Sequence, residues 1–283
     1  DSKRPFYFLL ISSLLNVILD FVFIFAISMG VAGVAIATVI SQIVSVIMCT
    51  WWIAKKTDII HKKDENGNSY MNLSKEHLKT AFVIGVPLGL EYSVTSIGNV
   101  VLQSSINALG PVTVAAQVCG ERIRSIATLP MENVGMAIAT YVGQNYGAKK
   151  FDRIKAGVRG GMIIQLVYCV AAWAVLFVLK KPLVYLLLGE VSSAEALASL
   201  QYLSVVTTLF ICHGTLMVFR NAVQAMGYSM SALIASVMEI IGRSMAGILA
   251  VYFNSFILIC VSAPMAWGFA AIPCIVLYTY YIR

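Results

Sequence analysis

"LLNVILDFVFIFAI", residues 14–27, runs for about four helical turns with only Asn16 and Asp20 to interrupt an apolar surface. A carboxylate costs several kcal/mol to bury unpaired in hydrocarbon, so its position inside such a run decides how the chain is read. Outward from this stretch, apolar segments of about twenty residues recur, enough to cross a bilayer core. Hydrophobic residues make up 59% of the 283-residue chain and charged residues 12%. The pattern predicts an all-α polytopic membrane protein of about eight transmembrane helices: 5–27, 31–54, 80–108, 112–144, 157–179, 198–226, 230–252 and 255–281. Lipid offers no partner to an open backbone group, and the alternation of a membrane β-barrel is absent.

Charge placement sets the expected topology. Lys3 and Arg4 precede the first span, Lys55, Lys56, Lys62, Lys63, Lys75 and Lys79 lie between the second and third, and Lys149, Lys150, Arg153, Lys155 and Arg159 follow the fourth. With alternating helices these fall on one side together with Arg283, against Lys180 and Lys181 on the other. The basic side is then cytoplasmic, as are the 55–79 segment and the C-terminus. The net charge of +7 is explained by topology and lipid headgroups, so no nucleic-acid partner is expected. The six cysteines are scattered through apolar spans and read as packing residues. His61, His77 and His213 stand apart from them, so no metal site is expected.

The polar insertion "KKTDIIHKKDENGNSYMNLSKEHLK", residues 55–79, separates two helices from six and carries a plausible N-cap at Ser74. It reads as the junction between two lobes of a transporter: 1–54, then a cytoplasmic linker, then a six-helix lobe over 80–283. "GAKKFDRIKAGVRGG" at 147–161 reads as an amphipathic connection. Gly30, Gly33, Ala37 and Ser41 form a small-residue face for close helix packing. Pro130 is expected to kink its span.

The intramembrane polar residues are the candidate sites. Asn16 lies one turn before Asp20 on the same face, and Asp20 is either inter-helix glue or a proton or cation site. Thr38 either bonds its own backbone or faces a polar cavity. Glu91 and Thr95 in "GVPLGLEYSVTSIG" (85–98), with Glu132, Arg220 and Asn221, are candidates for lining a substrate cavity. Glu239 and Arg243, four apart with the acid first, are expected to form a structural ion pair. Arg220 has no acid nearby in sequence, and Glu132 is one candidate partner. Glu121, Arg122 and Arg124 either rim a cavity or snorkel. A phosphate-binding glycine loop, an Asp-rich magnesium motif, a zinc His-Glu-x-x-His and a Gly-x-Ser-x-Gly elbow are all missing, so neither an enzyme nor an ATP-driven pump is expected, and no cofactor.

Three stretches together resemble the multidrug and toxic compound extrusion (MATE) family. "DSKRPFYFLLISSLLNVILDFVFIF" is similar to that family's fifth helix, "GVAGVAIATVISQ" to the start of its sixth, and "PMENVGMAIATYVGQNYGAKKFDRIKAG" to its eighth. The resemblance covers the whole chain as helices five to twelve of twelve, the last two of one six-helix lobe plus a complete second lobe. The resemblance therefore implies about four preceding helices, in agreement with a chain that opens on Asp-Ser-Lys-Arg. The resemblance implies a secondary active antiporter of the bacterial cytoplasmic membrane. It would export amphipathic, cationic organic compounds in exchange for H+ or Na+, by alternating access, as a monomer. It places Asn16, Asp20 and Thr38 at a proton or Na+ coupling site, whose further Asp and Asn would lie on helices preceding this chain. Where some members carry acids on helices seven and ten, this sequence has Thr95 and Thr215, which favours coupling through Asp20. The alternatives are a lipid-linked oligosaccharide flippase of the same superfamily and a non-functional truncated product.

Overall fold

A computed structural model describes residues 3–56 and 75–282, which divide into two compact units, Asp1–Leu78 and Lys79–Arg283. The expected linker features between residues 57 and 74, including His61 and the Ser74 cap, lie outside the described residues.

In the first unit, α1 (Lys3–Phe21) continues into a π-helical turn (Val22–Ala26), and α2 spans Gly30–Lys56. The two helices pack through a seam of small side chains. Gly33, Ala37, Ser41 and Ser45 are the buried residues of α2, spaced four apart, and Ser12 Oγ donates to the Ser41 carbonyl at 2.7 Å. A Cβ at Gly33 would come within 2.8 Å of Phe23 Cβ, so the approach requires glycine there. Gly30 is not part of the seam as expected. It is exposed and turns the chain into α2 with φ +57°, a conformation glycine adopts without steric cost.

The second unit is built from α3 (Lys75–Ala108), α4 (Pro111–Gly147), α5 (Phe151–Leu188), α6 (Ala194–Thr208), α7 (Phe210–Ala225), α8 (Met230–Tyr252) and α9 (Phe256–Tyr281). Its core brings together Met131 and Ile123 of α4, Cys169 of α5, Tyr202 and Val206 of α6, and Trp267 of α9. The exposed surfaces of α1, α2 and α5 are dominated by large apolar side chains, as lipid-facing helices require. The chain is therefore an all-α polytopic integral membrane protein.

Several boundaries differ from expectation. Among the described residues six helices are long and apolar enough to span, and α6 with α7 makes a seventh as a pair bent by 48°. The expected eighth, α4, is long enough at 37 residues. Its Gln117, Glu121, Arg122, Arg124 and Glu132 leave it less apolar than the rest. The 198–226 span is two helices broken at Leu209. Thr208 Oγ1 and Ser204 Oγ each donate to the carbonyl four residues back, at 2.7 Å, a bonding pattern that bends helices. Helix α4 runs through Pro130 as one helix, and α3 begins at Lys75 rather than at residue 80. Most of the 147–161 connection is the start of α5, preceded by a turn with Lys149 at φ 56°.

Candidate functional site

In the first unit, α1 and α2 bring Asn16 and Thr38 together, with Asn16 Nδ2 donating to Thr38 Oγ1 at 3.4 Å. Of the two roles left open for Thr38 the structure shows the first, its hydroxyl bonding its own backbone at Val34 O, 2.9 Å. Asp20 is half-buried one turn beyond Asn16, at the end of α1 where the π-helical turn begins. Its Oδ1 is buried without a hydrogen-bond partner. A buried carboxylate oxygen with unused acceptor capacity is what a proton or a small cation would complete.

In the second unit the buried charges form one ladder. Arg220 of α7 donates Nη2 to Glu91 Oε1 of α3 and Nη1 to Glu239 Oε1 of α8 at 3.0 Å. Arg243, one turn along α8, donates to Glu239 Oε2 at 3.3 Å and to Asn99 Oδ1. Gln224 Nε2 satisfies the second oxygen of Glu91 at 3.1 Å, and Ser236 Oγ lies 3.1 Å from Arg220 and 3.3 Å from Thr95 Oγ1. The expected Glu239–Arg243 contact is present, but Arg220 shares it. The partner proposed for Arg220, Glu132, is not its partner. Glu132 is about half exposed, and its Oε1 lies 4.0 Å from His213 Nε2.

Two cavities flank this ladder, with Thr95 on the wall of both. One, of about 300 Å³, is lined by all five residues nominated from sequence, Glu91, Thr95, Glu132, Arg220 and Asn221, together with Tyr92, Met136, Met217 and Gln224. Among its acids only Glu132 is not bonded to an arginine. The other, of about 310 Å³, is lined by Asn99, Gln103, Gln117, Glu121, Arg124, Arg243 and Trp267. Arg124 and Glu121 are ion-paired and Arg122 is exposed, so the mixed-charge group divides between a cavity wall and the surface.

Sequence reasoning missed Ser236, Gln224, Asn99 and Tyr202, whose hydroxyl donates to Glu121 at 2.7 Å. None carried a local signal, because each is fixed by a partner far along the chain. Among the described residues no cluster of His, Cys, Asp or Glu is suited to a metal ion.

The sequence model of the MatE family matches residues 87–249, and that of the lipid II flippase MurJ family matches residues 1–106. The probable multidrug resistance protein YoeA of Bacillus subtilis (strain 168) is 29% identical over 181 residues, 59% of this chain and 39% of that protein. The probable multidrug resistance protein YpnP of the same organism is 28% identical over 239 residues, 84% of this chain and 52% of that protein. A crystal structure of MATE in the bent conformation superposes on the whole chain with a TM-score of 0.86 at 20% identity, and 62% of that protein is covered. The chain thus spans about half the length or less of these curated relatives.

Proposed function

The chain belongs to the MatE family, and from that premise we propose that it is part of a secondary active exporter of amphipathic organic compounds driven by H+ or Na+ exchange. Residues 1–54 are then the last two helices of an amino-terminal lobe, 55–79 the cytoplasmic linker, and 80–283 the second lobe. The protein sits in the cytoplasmic membrane as a monomer. The observation that carries the reading is Asp20, whose buried oxygen has no partner beside the Asn16–Thr38 pair. Binding of a proton or cation would neutralise the carboxylate and change the packing it favours, biasing the lobes between inward- and outward-open states. Glu132, the acid not held by an arginine in the 300 Å³ cavity, suits the cationic end of a substrate whose apolar body meets Tyr92, Met136 and Met217.

The test is gradient-driven export of a fluorescent cationic dye by the full-length protein in vesicles. Asp20→Asn should abolish it, and Glu132→Gln should weaken it with membrane abundance unchanged. Wild-type export rates in Asp20→Asn would overturn the coupling role. A flippase is the second reading, favoured by the MurJ match over residues 1–106. It calls for arginines available to a pyrophosphate, whereas Arg124, Arg220 and Arg243 all engage acids. Transport of a lipid-linked pyrophosphate but not of dye would select it.

A further inference from the structure

We infer that the groove between α5 and the broken α6–α7 pair seats one anionic phospholipid, with its phosphate on Lys180 and one acyl chain lying along α5 toward Leu166. Three features carry this: the continuity of the groove, its length and the single charge at its end.

Two cavities, of about 230 Å³ and about 120 Å³, lie along this flank, and Trp173, Thr207 and Thr208 line both, so they join end to end. One wall is a single face of α5, where Leu166, Cys169, Trp173, Phe177 and Lys180 follow one another at intervals of three or four residues. The other wall changes helix at Leu209, where α6 and α7 are bent by 48°. A single helix cannot stay packed against both arms of such a bend, and the groove runs past it. From Leu166 to Lys180 is fourteen residues, about 21 Å of helix. Half of a hydrocarbon core of about 30 Å is about 15 Å, so the groove is long enough for one acyl chain.

The polar end is specific in sign. Lys180 Nζ donates to Ser204 Oγ at 2.7 Å, and the Ser204 hydroxyl gives its own hydrogen to the Leu200 carbonyl. The ammonium also lies 5.0 Å from the centre of the Phe177 ring. Both partners are neutral, and an ammonium has three donors, so its charge and part of its bonding capacity remain for a ligand. Among the described residues no carboxylate is bridged to Lys180. Asp152, the one acid of α5, stands at the opposite end of that helix. Glu195, the one acid of α6, is nine residues from Ser204, about 13 Å of helix away. Beyond Lys180 the groove offers no charged group, and Thr208 spends its hydroxyl on the Ser204 carbonyl. Its occupant is therefore anionic at one end and apolar along the rest. Trp173 and Ile211 are 41% and 45% exposed, so the groove opens sideways to the bilayer. A two-chain lipid can lay one chain in it while the other stays among its neighbours.

This seat needs neither an ion gradient nor Asp20, so it stands apart from the export reading. The test places the full-length protein in vesicles of phosphatidylcholine and phosphatidylglycerol, with one lipid at a time brominated on its acyl chains to quench tryptophan on contact. Each protein is paired with its Trp173→Phe variant, so that the difference reads Trp173 alone. Phosphatidylglycerol should quench Trp173 saturably, with a preference over phosphatidylcholine of about fivefold, the worth of one lysine beside an anionic lipid. Lys180→Gln should abolish that preference and Lys180→Arg should keep it. Ile211→Phe narrows the groove away from the charge and should lower the saturable quenching; it decides the matter if Lys180→Gln does not fold. Equal quenching by the two lipids, as for ordinary boundary lipid, overturns the proposal. So does undiminished quenching in folded Ile211→Phe, displacement by equimolar oleate, which assigns the groove to a free acid, or a Trp173 that neither lipid reaches, which assigns it to a protein partner.

Discussion

Replacing Arg220 by Met removes the group that bonds two buried carboxylates on different helices, Glu91 at 10% side-chain exposure and Glu239 at 6%. Glu239 keeps Arg243, but Glu91 keeps only the neutral amide of Gln224. Removing one partner of a buried pair costs about 3–5 kcal/mol, because the remaining charge is left uncompensated. Glu91→Gln removes the charge instead and leaves Arg220 on Glu239, a loss of about 1–3 kcal/mol for a hydrogen bond to a charged group. The double variant should be less destabilised than Arg220→Met alone, since it has no stranded acid; the two changes are coupled through one contact and will not add. Thermal unfolding in detergent, followed by the fluorescence of a thiol probe on the buried cysteines, gives the order wild type, Glu91→Gln, double variant, Arg220→Met. If the double variant is the least stable of the four, or Glu91→Gln falls below Arg220→Met, then the pair is not what holds α3 to α7 and α8, and the ladder is packing with incidental charges.

Gly242→Ala should destabilise the second unit by about 1–3 kcal/mol, because the added Cβ meets the α9 backbone at 2.9 Å from Ala266 Cα, and backbone cannot step aside. Gly85→Ala is the control: nothing lies within 4 Å of its Cβ, and the gain in helix propensity of up to about 1 kcal/mol should appear as an equal or higher Tm. Tyr202→Phe deletes the 2.7 Å bond to Glu121 and should cost about 1.5–3 kcal/mol in the same unfolding assay, although the ring itself still fills its place against α4.

The membrane-spanning helices were legible because bilayer thickness imposes a length that apolar runs must meet. The Glu239–Arg243 contact was legible because four residues is one helical turn. What could not be read were pairings set by tertiary structure. Arg220 and Glu91 are 129 residues apart, and nothing near either names the other. Glu132 was nominated for Arg220 on its place beside Pro130, yet α4 turns it toward His213. The break at Leu209 was missed because neither Gly nor Pro marks it. Its signal, Ser204 followed by Thr208, is weak until the hydroxyls are seen bonding back to the helix. That the five nominated residues lie close together has a simple cause, since polar residues in apolar helices have few places to go. All five line one cavity, although only the structure separates Arg220 and Glu91, which bind each other there, from Glu132.

Each unit has buried or half-buried acids, but their states of bonding differ, and that difference bears on where an ion could act. Exchange with a proton or Na+ requires an oxygen that can gain a ligand without first losing several. Glu91, Glu121 and Glu239 each accept from at least two donors, one or more of them a guanidinium, so a cation there must break charge-assisted bonds, roughly twice as strong as neutral ones. Asp20 has a buried oxygen with nothing to lose, and the neighbouring Asn16 and Thr38 side chains are joined by only a long 3.4 Å contact. A weak contact of that kind rearranges at little cost when a ligand arrives. The same reasoning leaves the arginines of the second unit fixed on their acids.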